Sequence, residues 1–586
     1  MSLEGKTLYT IQVEPFLKEF GEDTVCRYDA LKAVVAVQGL RNRQGPELFL
    51  FWADHDTFWL RYMMEPDHFM HGMEIRSIDS FDEFLKLYGP FIKKQGLALW
   101  DYAVPATMNV ATTACGIDGF IPVRAGSIIA DRIMKTTGAV CRLDLVGKFT
   151  GKGRIPDTDR PSSGSAKCDA YLWALDKYFD QTNDRLLVYN VDAYSWDAEK
   201  PYYPDLGNAF VPNHDYAIMK KAFVFDVSCW GDEVPCDDPG QPLGTDLATM
   251  KEILQRQYDR TEGKTMTQVC GFNPWQLKYT SHKNHGKHEG VESEWMFTEI
   301  ISCYNCVKDA DAYGYCGLAN ASVYTQYPLD EKYKNHRPKE EMKFDPKNTY
   351  VLFYVGDYDA GAWTARHIPK WYNDPALGKN PLMWCFNTNL SERIPMAFDF
   401  VYKRFTDNDY FQAGDSGAGY NNPALLYEPR KHSGLPSGVE ANVAHNKYYF
   451  DKFDQQIIGF VIDGWNLTTR ENMADLARFA PMGAGGNHFP RETQVVNGGV
   501  FIQHSSDLGA ENLNLERALE LAFYAIDHYP PEKRFHIFRT ILVSPTNHDK
   551  LMKAMKERRP EANFVFCDPY NFFRMAKEAK EKGLTY

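Results

Sequence analysis

Short apolar runs alternate with stretches of helical periodicity along the first part of the chain. Tyr28–Gln44 repeats apolar residues at helical spacing, whereas Glu47–Ala53 and Gly96–Tyr102 are apolar runs of the length of a buried strand. Strands separated by helices are typical of a mostly parallel sheet. The pattern therefore predicts an N-terminal α/β domain at residues 1–205.

A turn-rich stretch at Tyr202–His214 follows this region and contains two prolines, a glycine and two asparagines. Because these residue types favour turns, we place a domain boundary there. A longer series of strand-like runs comes next, with helical runs between most of them. The strand-like runs are Ala222–Cys229, Met266–Gly271, Ala310–Gly317, Tyr350–Val355, Leu382–Phe386, Tyr410–Ala413, Ile457–Ile462, Val500–Gln503, Ile537–Val543 and Asn563–Phe566.

Repeated strand–helix units of this length predict a β/α barrel. The strand-like runs outnumber the eight strands of a regular barrel, so we expect a distorted TIM-like barrel of seven or eight strands at residues 206–586. A doubly wound open sheet is the alternative. The fold class predicted for the whole chain is α/β.

Length and charge narrow the classes of function. The 586 residues exceed the roughly 250–300 at which one hydrophobic core stops growing, which also favours two domains. The formal net charge is -13, whereas a nucleic-acid surface needs clustered lysines and arginines, so nucleic acid is not an expected partner. Aromatic residues make up 14% of the chain. This suits a sugar-binding cleft, although a large aromatic core explains it more simply.

No segment of the sequence has the pattern of a signal peptide or a membrane span. The chain begins Met-Ser-Leu-Glu-Gly-Lys, without the apolar core of a signal, and no run approaches the roughly 20 apolar residues that cross a bilayer. Its twelve cysteines are scattered through apolar segments, as in a reducing compartment. We expect a soluble, cytoplasmic protein without a membrane partner, unless a signal was trimmed from a secreted precursor.

Three motifs are weak, and we expect neither a cofactor nor a metal. Gly147–Gly153 has the glycines of a phosphate loop but lacks the Ser or Thr that must follow its lysine. Gly414–Gly417 reads GDSG, as in chymotrypsin-like proteases, but lies among strand–helix units and not in an all-β protein. Three histidines in a loop-like stretch suit contact with substrate or solvent better than zinc: His282, His285 and His288.

Aspartates follow several predicted strands of the second domain. In a β/α barrel the reactive groups lie at the carboxyl ends of the strands, and these ends carry Asp226, Asp357, Asp415 and Asp463. An aspartate there also caps the following helix, which explains Asp226 and Asp359 well but does not explain the tryptophans and amides beside them. We therefore predict a single cleft into which the first four aspartates point.

The residues at these strand ends suit the hydrolysis of glycosides. One carboxyl group protonates the leaving oxygen, while a second stays ionised as nucleophile or as base for water. Aromatic rings position a sugar ring, and amides bond its hydroxyl groups. The residues expected to bind substrate are Trp230, Asn273, Asp359, Trp384, Asn387, Asn389, Trp465 and His504.

The segment Asp415–Pro423 (DSGAGYNNP) resembles the motif of the GxGYxYP family, which is assigned to the glycoside hydrolases. Asp237–Thr245 and the pair Asn387 and Asn389 are also similar to parts of that family. The resemblance implies an N-terminal domain, a barrel-like C-terminal catalytic region and a carbohydrate substrate. Asn422 stands where the motif has its second tyrosine, so we expect a different sugar preference.

The resemblance adds further candidates for the site. His288 and Glu289 lie in a loop after the second predicted strand, where a general acid or a substrate-binding group is expected. Tyr420 is expected to stack on the sugar or bond it. Gly417 and Gly419 predict a tight turn with positive φ, because glycine adopts that conformation without strain.

Asp415 is our first choice for the catalytic pair, because it ends an apolar strand and precedes glycines that leave room for a ring. Its partner is expected to be Asp226 or Asp357, with Glu289 as third choice. Two alternative functions stay open. One is a metal-dependent carbohydrate deacetylase, and the other is a carbohydrate-binding protein without catalytic activity.

Overall fold

The computed structural model of the chain describes residues 3–192, 213–273, 286–311 and 317–586, and they form a mixed α/β protein with mostly parallel strands. The chain separates into two compact units. Unit 1 comprises Met1–Glu262, Thr267–Ile300 and Ala310–Pro328, and unit 2 comprises Gly263–Met266, Ile301–Asp309 and Leu329–Tyr586. The boundary stretch proposed from the sequence lies outside the described residues up to position 212.

Unit 1 contains short strands arranged in small parallel sheets. The strands are β1 (Thr7–Gln12), β2 (Leu48–Phe51), β3 (Glu74–Ser77), β4 (Leu97–Trp100), β5 (Ile121–Arg124), β6 (Cys141–Asp144), β7 (Leu186–Tyr189), β8 (Phe223–Phe225) and β9 (Thr267–Cys270). β1 lies between β2 and β3, β4 between β5 and β6, and β7 between β8 and β9. Since parallel neighbours need a crossover, helices connect most of these strands.

The helices of unit 1 pack against these sheets and against one another. They are α1 (Val13–Leu17), α2 (Thr24–Arg41), α3 (Asp54–Met63), α4 (Phe81–Gln95), α5 (Ala106–Asp118), α6 (Ile128–Thr137), α7 (Ala166–Tyr178), α8 (His214–Met219), α9 (Thr245–Arg260), α10 (Gly290–Ser302, which ends in unit 2) and α11 (Ala321–Tyr324). α5 is buried from Ala106 to Gly116. Its small and apolar residues on every side suit a helix inside the core.

Unit 2 is built on one large, curled sheet of ten strands. The strands of the unit are β10 (Cys306–Asp309, outside this sheet), β11 (Thr349–Tyr358), β12 (Leu382–Phe386), β13 (Asp409–Asp415), β14 (Ile457–Val461), β15 (Gly483–Gly486), β16 (Gln494–Val496), β17 (Gly499–Gln503), β18 (Ser506–Gly509), β19 (Phe535–Ile541) and β20 (Phe564–Phe566). The order is β16-β17-β15-β14-β13-β12-β11-β19-β18, and β20 also pairs with β11. Only the β16–β17 pair in this sheet is antiparallel.

The predicted barrel is not confirmed. Its first two strands correspond to β8 and β9, which pair with β7 in unit 1. The third, Ala310–Gly317, is not a strand where it is described, and residues 312–316 lie outside the described ranges. Along the described strands, the edge strands β16 and β18 do not pair with each other, so the sheet stays open. Periodicity locates strands but does not determine which of them pair.

Helices and buried aromatic rings hold the sheet of unit 2. The helices are α12 (Gly361–Tyr372), α13 (Pro395–Arg404), α14 (Val439–Phe453), α15 (Arg470–Leu476), α16 (Leu515–His528), α17 (Pro545–Arg558) and α18 (Pro569–Glu581). Phe572 of α18 packs edge-on against Phe535 of β19, which stacks on Tyr350 of β11. Across the described ranges, every helix is too short or too polar to traverse a lipid bilayer.

Sequence signals for helix starts are clear in the last two helices. Ser544 accepts a hydrogen bond from the backbone N–H of Asn547, and Pro545 is the first residue of α17. The Asp568 side chain likewise accepts a hydrogen bond from the backbone N–H of Asn571, and Pro569 is the first residue of α18. A capping side chain followed by proline favours a helix start, because proline has no N–H to leave unbonded.

Candidate functional site

Most of the predicted site residues of unit 2 lie at one edge of its sheet. We call this the carboxyl edge, which consists of the residues at and just after the ends of β11, β12, β13, β14 and β17. Parallel strands with adjacent positions bring these ends together. The predicted residues at this edge are Asp357, Asp359, Asn387, Asn389, Asp415, Tyr420, Asp463, Trp465 and His504.

Asp415 is the last residue of β13 and is buried, with 4% of its surface exposed. The Tyr354 hydroxyl donates a hydrogen bond of 3.4 Å to Asp415 Oδ1. The backbone N–H of Asp415 donates to Asn387 Oδ1 over 2.8 Å. Burial raises the pKa of Tyr354 well above its ordinary value, and the Asp415 carboxylate raises it further. The phenol therefore keeps its proton and acts as a donor.

Arg539 of β19 lies among carboxylates. Its Nη2 atom is 3.4 Å from Asp357 Oδ1, and its Nη1 atom is 3.1 Å from Asp507 Oδ2. Burial alone would lower the pKa of Arg539, but the nearby carboxylates, first Asp357 and then Asp507, raise it above its usual value. Asp415 contributes in the same direction. A charged guanidinium stabilises the ionised form of each neighbouring carboxyl group.

Two non-glycine residues at this edge have a left-handed backbone conformation, which is unfavourable for residues with a Cβ atom. Asp357 has φ of 71° and Ser416 has φ of 64°. Such conformations cost roughly 1–3 kcal/mol each and persist where the surrounding structure enforces them, often at functional sites. The Ser416 hydroxyl accepts a 2.9 Å hydrogen bond from the Ile462 N–H, which ties the end of β13 to that of β14.

The glycine motif forms the tight turn that the sequence predicts. Gly417 and Gly419 have φ of 123° and 119°, which confirms the predicted positive φ. A Cβ atom at Gly419 would lie 2.6 Å from Val307 Cβ, and one at Gly417 would overlap Asn446 Oδ1. Both positions therefore require glycine for space as well as for backbone angle.

Two buried asparagines at the carboxyl edge keep polar atoms without partners in the described part of the chain. Asn387 uses its Oδ1 atom for Asp415, but its Nδ2 atom bonds nothing. Neither side-chain atom of Asn389 is bonded, although this residue is 1% exposed. An unbonded buried amide costs about 1–3 kcal/mol. Such groups are therefore suited to the hydroxyls of a ligand.

His504 offers a further unbonded atom. Its Nε2 atom is 2.8 Å from the Gly459 carbonyl oxygen and therefore carries the proton, which leaves a lone pair on Nδ1. No described group bonds that Nδ1 atom. Burial lowers the pKa of His504 to about 4. The neutral ring is thus an acceptor at the same edge as Asp415.

His488 is a further residue of the candidate site, and the sequence does not predict it. Its Nδ1 atom is 2.7 Å from Asp463 Oδ1, and its backbone N–H donates to Asp463 Oδ2 over 3.0 Å. Asp463 is buried, whereas 55% of the His488 side chain is exposed. Burial raises the pKa of Asp463, and the hydrogen bond from His488 opposes that rise. His488 follows β15, whose sequence Gly-Ala-Gly-Gly has no strand signal.

The aromatic candidates of unit 2 differ in exposure. Trp465 is 45% exposed, in the loop after β14. Trp384 is buried, and its Nε1 donates to Asp409 Oδ1 over 2.7 Å, so it belongs to the core. Tyr420 is also buried, and the Lys308 amine lies 3.7 Å from its ring centre. Of these three rings, Trp465 is the one that a ligand can reach from solvent.

In unit 1, Asp226 follows β8 and joins the ends of neighbouring strands. The Tyr189 hydroxyl donates to Asp226 Oδ1 over 2.5 Å, and the Asp192 N–H donates to Oδ2 over 3.0 Å. Asn273 Nδ2 donates to the Tyr189 hydroxyl over 2.6 Å. Both oxygens of Asp226 therefore take part in a buried network, together with the predicted Asn273.

The other candidates of unit 1 form a surface cluster. The rings of Trp230 and His288 stack with centres 3.3 Å apart, and Trp230 Nε1 donates to Ser293 Oγ over 2.8 Å. His288 Nε2 is 2.8 Å from Asp232 Oδ1. Glu289 is exposed beside this cluster. His288 thus covers one face of Trp230, while His282 and His285 lie outside the described residues.

Comparison with known proteins finds a family model that matches part of unit 2. Residues 347–485 match the family model described as "GxGYxYP putative glycoside hydrolase C-terminal domain". This range holds β11 to β14 with Asp357, Asp415 and Asp463. The resemblance predicted from the motif is therefore confirmed for this region.

A solved structure shares the fold. It is described as the crystal structure of "a putative hydrolase" from Bacteroides thetaiotaomicron VPI-5482, and it superimposes with a TM-score of 0.68 at 16% sequence identity. The similarity covers 99% of this chain and 95% of that one. No curated protein sequence matches significantly. At this identity the solved structure supports the fold alone, because one fold hosts many functions.

Proposed function

We propose that this protein is a glycoside hydrolase whose reaction takes place at the carboxyl edge of unit 2. The observation that carries the proposal is the position of Arg539, whose guanidinium contacts the Asp357 carboxylate at 3.4 Å and interacts electrostatically with Asp415. A glycosidase needs carboxylates at the sugar that it cleaves. The family match of residues 347–485 supports the same chemistry.

Asp415 is proposed as the nucleophile. The Tyr354 hydroxyl and the Arg539 charge both favour its ionised form. We propose direct attack of this carboxylate on the anomeric carbon, with retention of configuration in the product.

Asp357 is proposed to stabilise the positive charge that develops on the sugar ring in the transition state. Its carboxylate is held by Arg539 at 3.4 Å, and 34% of its side chain is exposed. The left-handed backbone of Asp357 fixes its direction. A charge placed before the reaction lowers the barrier without reorganisation. The alternative prediction, that Asp226 or Glu289 of unit 1 is the second carboxylate of the catalytic pair, stays a prediction.

A carbohydrate suits the unbonded atoms at this edge. Asn387 offers a donor, Asn389 offers both a donor and an acceptor, and His504 offers an acceptor. Sugar hydroxyls are donors and acceptors at once and would satisfy all of these groups. We propose the sugar that is attacked as their ligand.

Asp415→Asn, assayed with a panel of aryl glycosides and oligosaccharides, tests the proposal. Asp409→Asn is the matched control, because Asp409 is a buried aspartate at the other end of the same strand. We expect Asp415→Asn to reduce kcat by about three orders of magnitude with its unfolding midpoint little changed. Asp409→Asn should keep its turnover. If Asp415→Asn retains near-full turnover on a confirmed substrate, Asp415 is not the nucleophile.

A further inference from the structure

Asp357 and Asp415 both act as carboxylates in the proposed reaction, which leaves it without a proton donor. Arg539 favours the ionised form of both Asp357 and Asp415. Cleavage of an unactivated glycoside, however, needs an acid that protonates the leaving oxygen. The donor must therefore be another group at the carboxyl edge.

Asp463 and His488 form a pair with the geometry of a proton-transfer site. Both oxygens of Asp463 accept hydrogen bonds from His488, one from the ring at 2.7 Å and one from the backbone at 3.0 Å. The ring is therefore fixed with Nδ1–H toward the buried carboxylate and Nε2 away from it. A carboxylate in this position orients the imidazole.

Strand register places this pair at the same sheet edge as Asp415. Val461 of β14 pairs with Gly486 of β15, and Asp463 and His488 each follow two residues later. On the other side, Asp415 of β13 pairs with Phe460 of β14. The pair therefore lies at the end of the strand that neighbours Asp415.

The glycine motif is bonded to the same loop. Asn422 Nδ2 donates to the Asp463 carbonyl oxygen over 3.0 Å, and the Ile462 N–H donates to Ser416 Oγ. Trp465, 45% exposed, follows in this loop and supplies a ring on which a leaving sugar can stack. The loop thus combines an oriented imidazole with an accessible aromatic surface.

We propose that His488 is the catalytic acid and base of this site, that Asp463 is its positioning residue, and that the leaving group is a sugar carried on Trp465. This inference rests on the proposed glycosidase function. In the first step His488 Nε2–H gives its proton to the glycosidic oxygen, whose bond to the anomeric carbon breaks with both electrons going to that oxygen. The Asp415 carboxylate forms the new bond to carbon.

In the second step Nε2 takes a proton from water as the water oxygen bonds the anomeric carbon. The bond to Asp415 breaks, and its electron pair returns to the carboxylate. One water is consumed, and both His488 and Asp415 regain their starting forms. The chemistry needs no further reactant.

Dependence on the leaving group tests the role of His488. His488→Gln should lose at least about 100-fold in kcat/KM on oligosaccharides, within the range of general acid catalysis, but less than about 5-fold on 2,4-dinitrophenyl glycosides, which leave without protonation. Asp463→Asn should follow the same pattern. Asp415→Asn should lose activity on both, and the control His528→Gln on neither. Equal losses of His488→Gln on both substrates would overturn the proposal.

Diethylpyrocarbonate labelling, read by mass spectrometry, tests the pair without any substrate. The Asp463 carboxylate accepts from Nδ1–H and makes Nε2 the better nucleophile, so His488 should react several-fold faster in the unmodified protein than in Asp463→Asn, while His528 should react equally in both. Equal labelling rates of His488 in the two proteins would overturn the pairing. If labelling behaves as expected but no glycoside is hydrolysed, the pair stands and the proposed glycosidase function fails.

Discussion

The two ends of β13 carry two buried aspartates in opposite chemical situations. At the start of the strand, Asp409 accepts hydrogen bonds from the Trp384 indole on Oδ1 and from Thr406 on Oδ2. At its end, Asp415 accepts a hydrogen bond from the Tyr354 hydroxyl and interacts electrostatically with Arg539. The residue type, the strand and the burial are the same. Burial of the carboxylate alone therefore does not distinguish the two ends of the strand, whereas its partners do.

Two buried asparagines repeat this contrast. We call the residues around the starts of the same strands the amino edge. There, the Asn335 amide bonds both the N–H and the carbonyl oxygen of Phe411. At the carboxyl edge neither side-chain atom of Asn389 has a partner among the described residues. The Asn335 side chain is satisfied internally, whereas that of Asn389 keeps both polar atoms available for a ligand.

After Asp415→Asn, the largest effect on turnover is expected from Arg539 at the carboxyl edge, compared with Arg337 near the amino edge. Arg539→Gln should lower kcat about 100-fold or more, because the site loses a fixed charge in a buried setting. Arg337 pairs with Asp454 near the amino edge at 2.7 Å, with 39% of its side chain exposed. Arg337→Gln should keep its turnover, since exposed pairs contribute about 0–1 kcal/mol. Steady-state kinetics of both variants measure the change in kcat. Comparable losses would remove the distinction between the edges.

Substitution of Asn389 is expected to affect activity, whereas substitution of Asn335 is expected to affect stability. Asn389→Ala should lower kcat/KM by about 10- to 100-fold, with the free energy of unfolding unchanged or higher, because no internal hydrogen bond is lost. Asn335→Ala should instead lower the free energy of unfolding by about 1–3 kcal/mol and keep kcat/KM. Urea unfolding and kinetics on both variants measure this. Destabilisation by Asn389→Ala would show that its amide has an internal role.

A smaller effect, on the free energy of unfolding, is expected when the pH is lowered. Burial lowers the pKa of His536 to about 3, and the ring is bonded by Ser505 and by the Lys533 carbonyl oxygen. Its pKa is lower in the folded state than the roughly 6.5 of an unfolded chain. Its stabilisation is therefore complete above about pH 6.5 and is lost as the pH falls toward 3. The loss should reach about 2 kcal/mol by pH 5.

Urea unfolding of unit 2 at pH 7.5 and pH 5 measures this contribution. His536→Gln should lose about 2 kcal/mol less than the unmodified protein between the two values, because glutamine does not titrate. Equal losses would show that His536 does not contribute to acid sensitivity.

The smallest effect on glycoside turnover is expected from the removal of metal ions. Arg539 occupies the position between carboxylates that a bridging divalent cation would take. Dialysis against a chelator should therefore leave glycoside turnover unchanged. Loss of activity that zinc restores would favour the alternative metal-dependent deacetylase.

Much of the sheet of unit 2 could be predicted from apolar runs. Leu382–Phe386 coincides with β12, and the runs at Tyr350, Tyr410, Ile457 and Val500 fall on β11, β13, β14 and β17. β15 was missed because its glycines lack β propensity. They are needed for space, since a Cβ atom at Gly485 would lie 2.5 Å from His504 Nε2. Pairing was also not predictable, because it depends on contacts distant in sequence.

The site could be predicted in part. Asp357, Asp415 and Asp463 were found from their positions after apolar strands, and the structure places all three on one sheet edge. Arg539 was missed, although a charged residue inside the apolar run Phe535–Ile541 is a usable signal. His488 gave no such signal, because its hydrogen bond to Asp463 exists only in the folded chain.

The most direct measurement of the central claim is covalent trapping of the nucleophile. The protein is incubated with an activated 2-deoxy-2-fluoro derivative of a glycoside that it hydrolyses, and the labelled peptide is identified by mass spectrometry. We predict one label per chain, on Asp415, and a hydrolysis product of retained configuration. A label on another residue, or an inverted product without any label, would contradict the account.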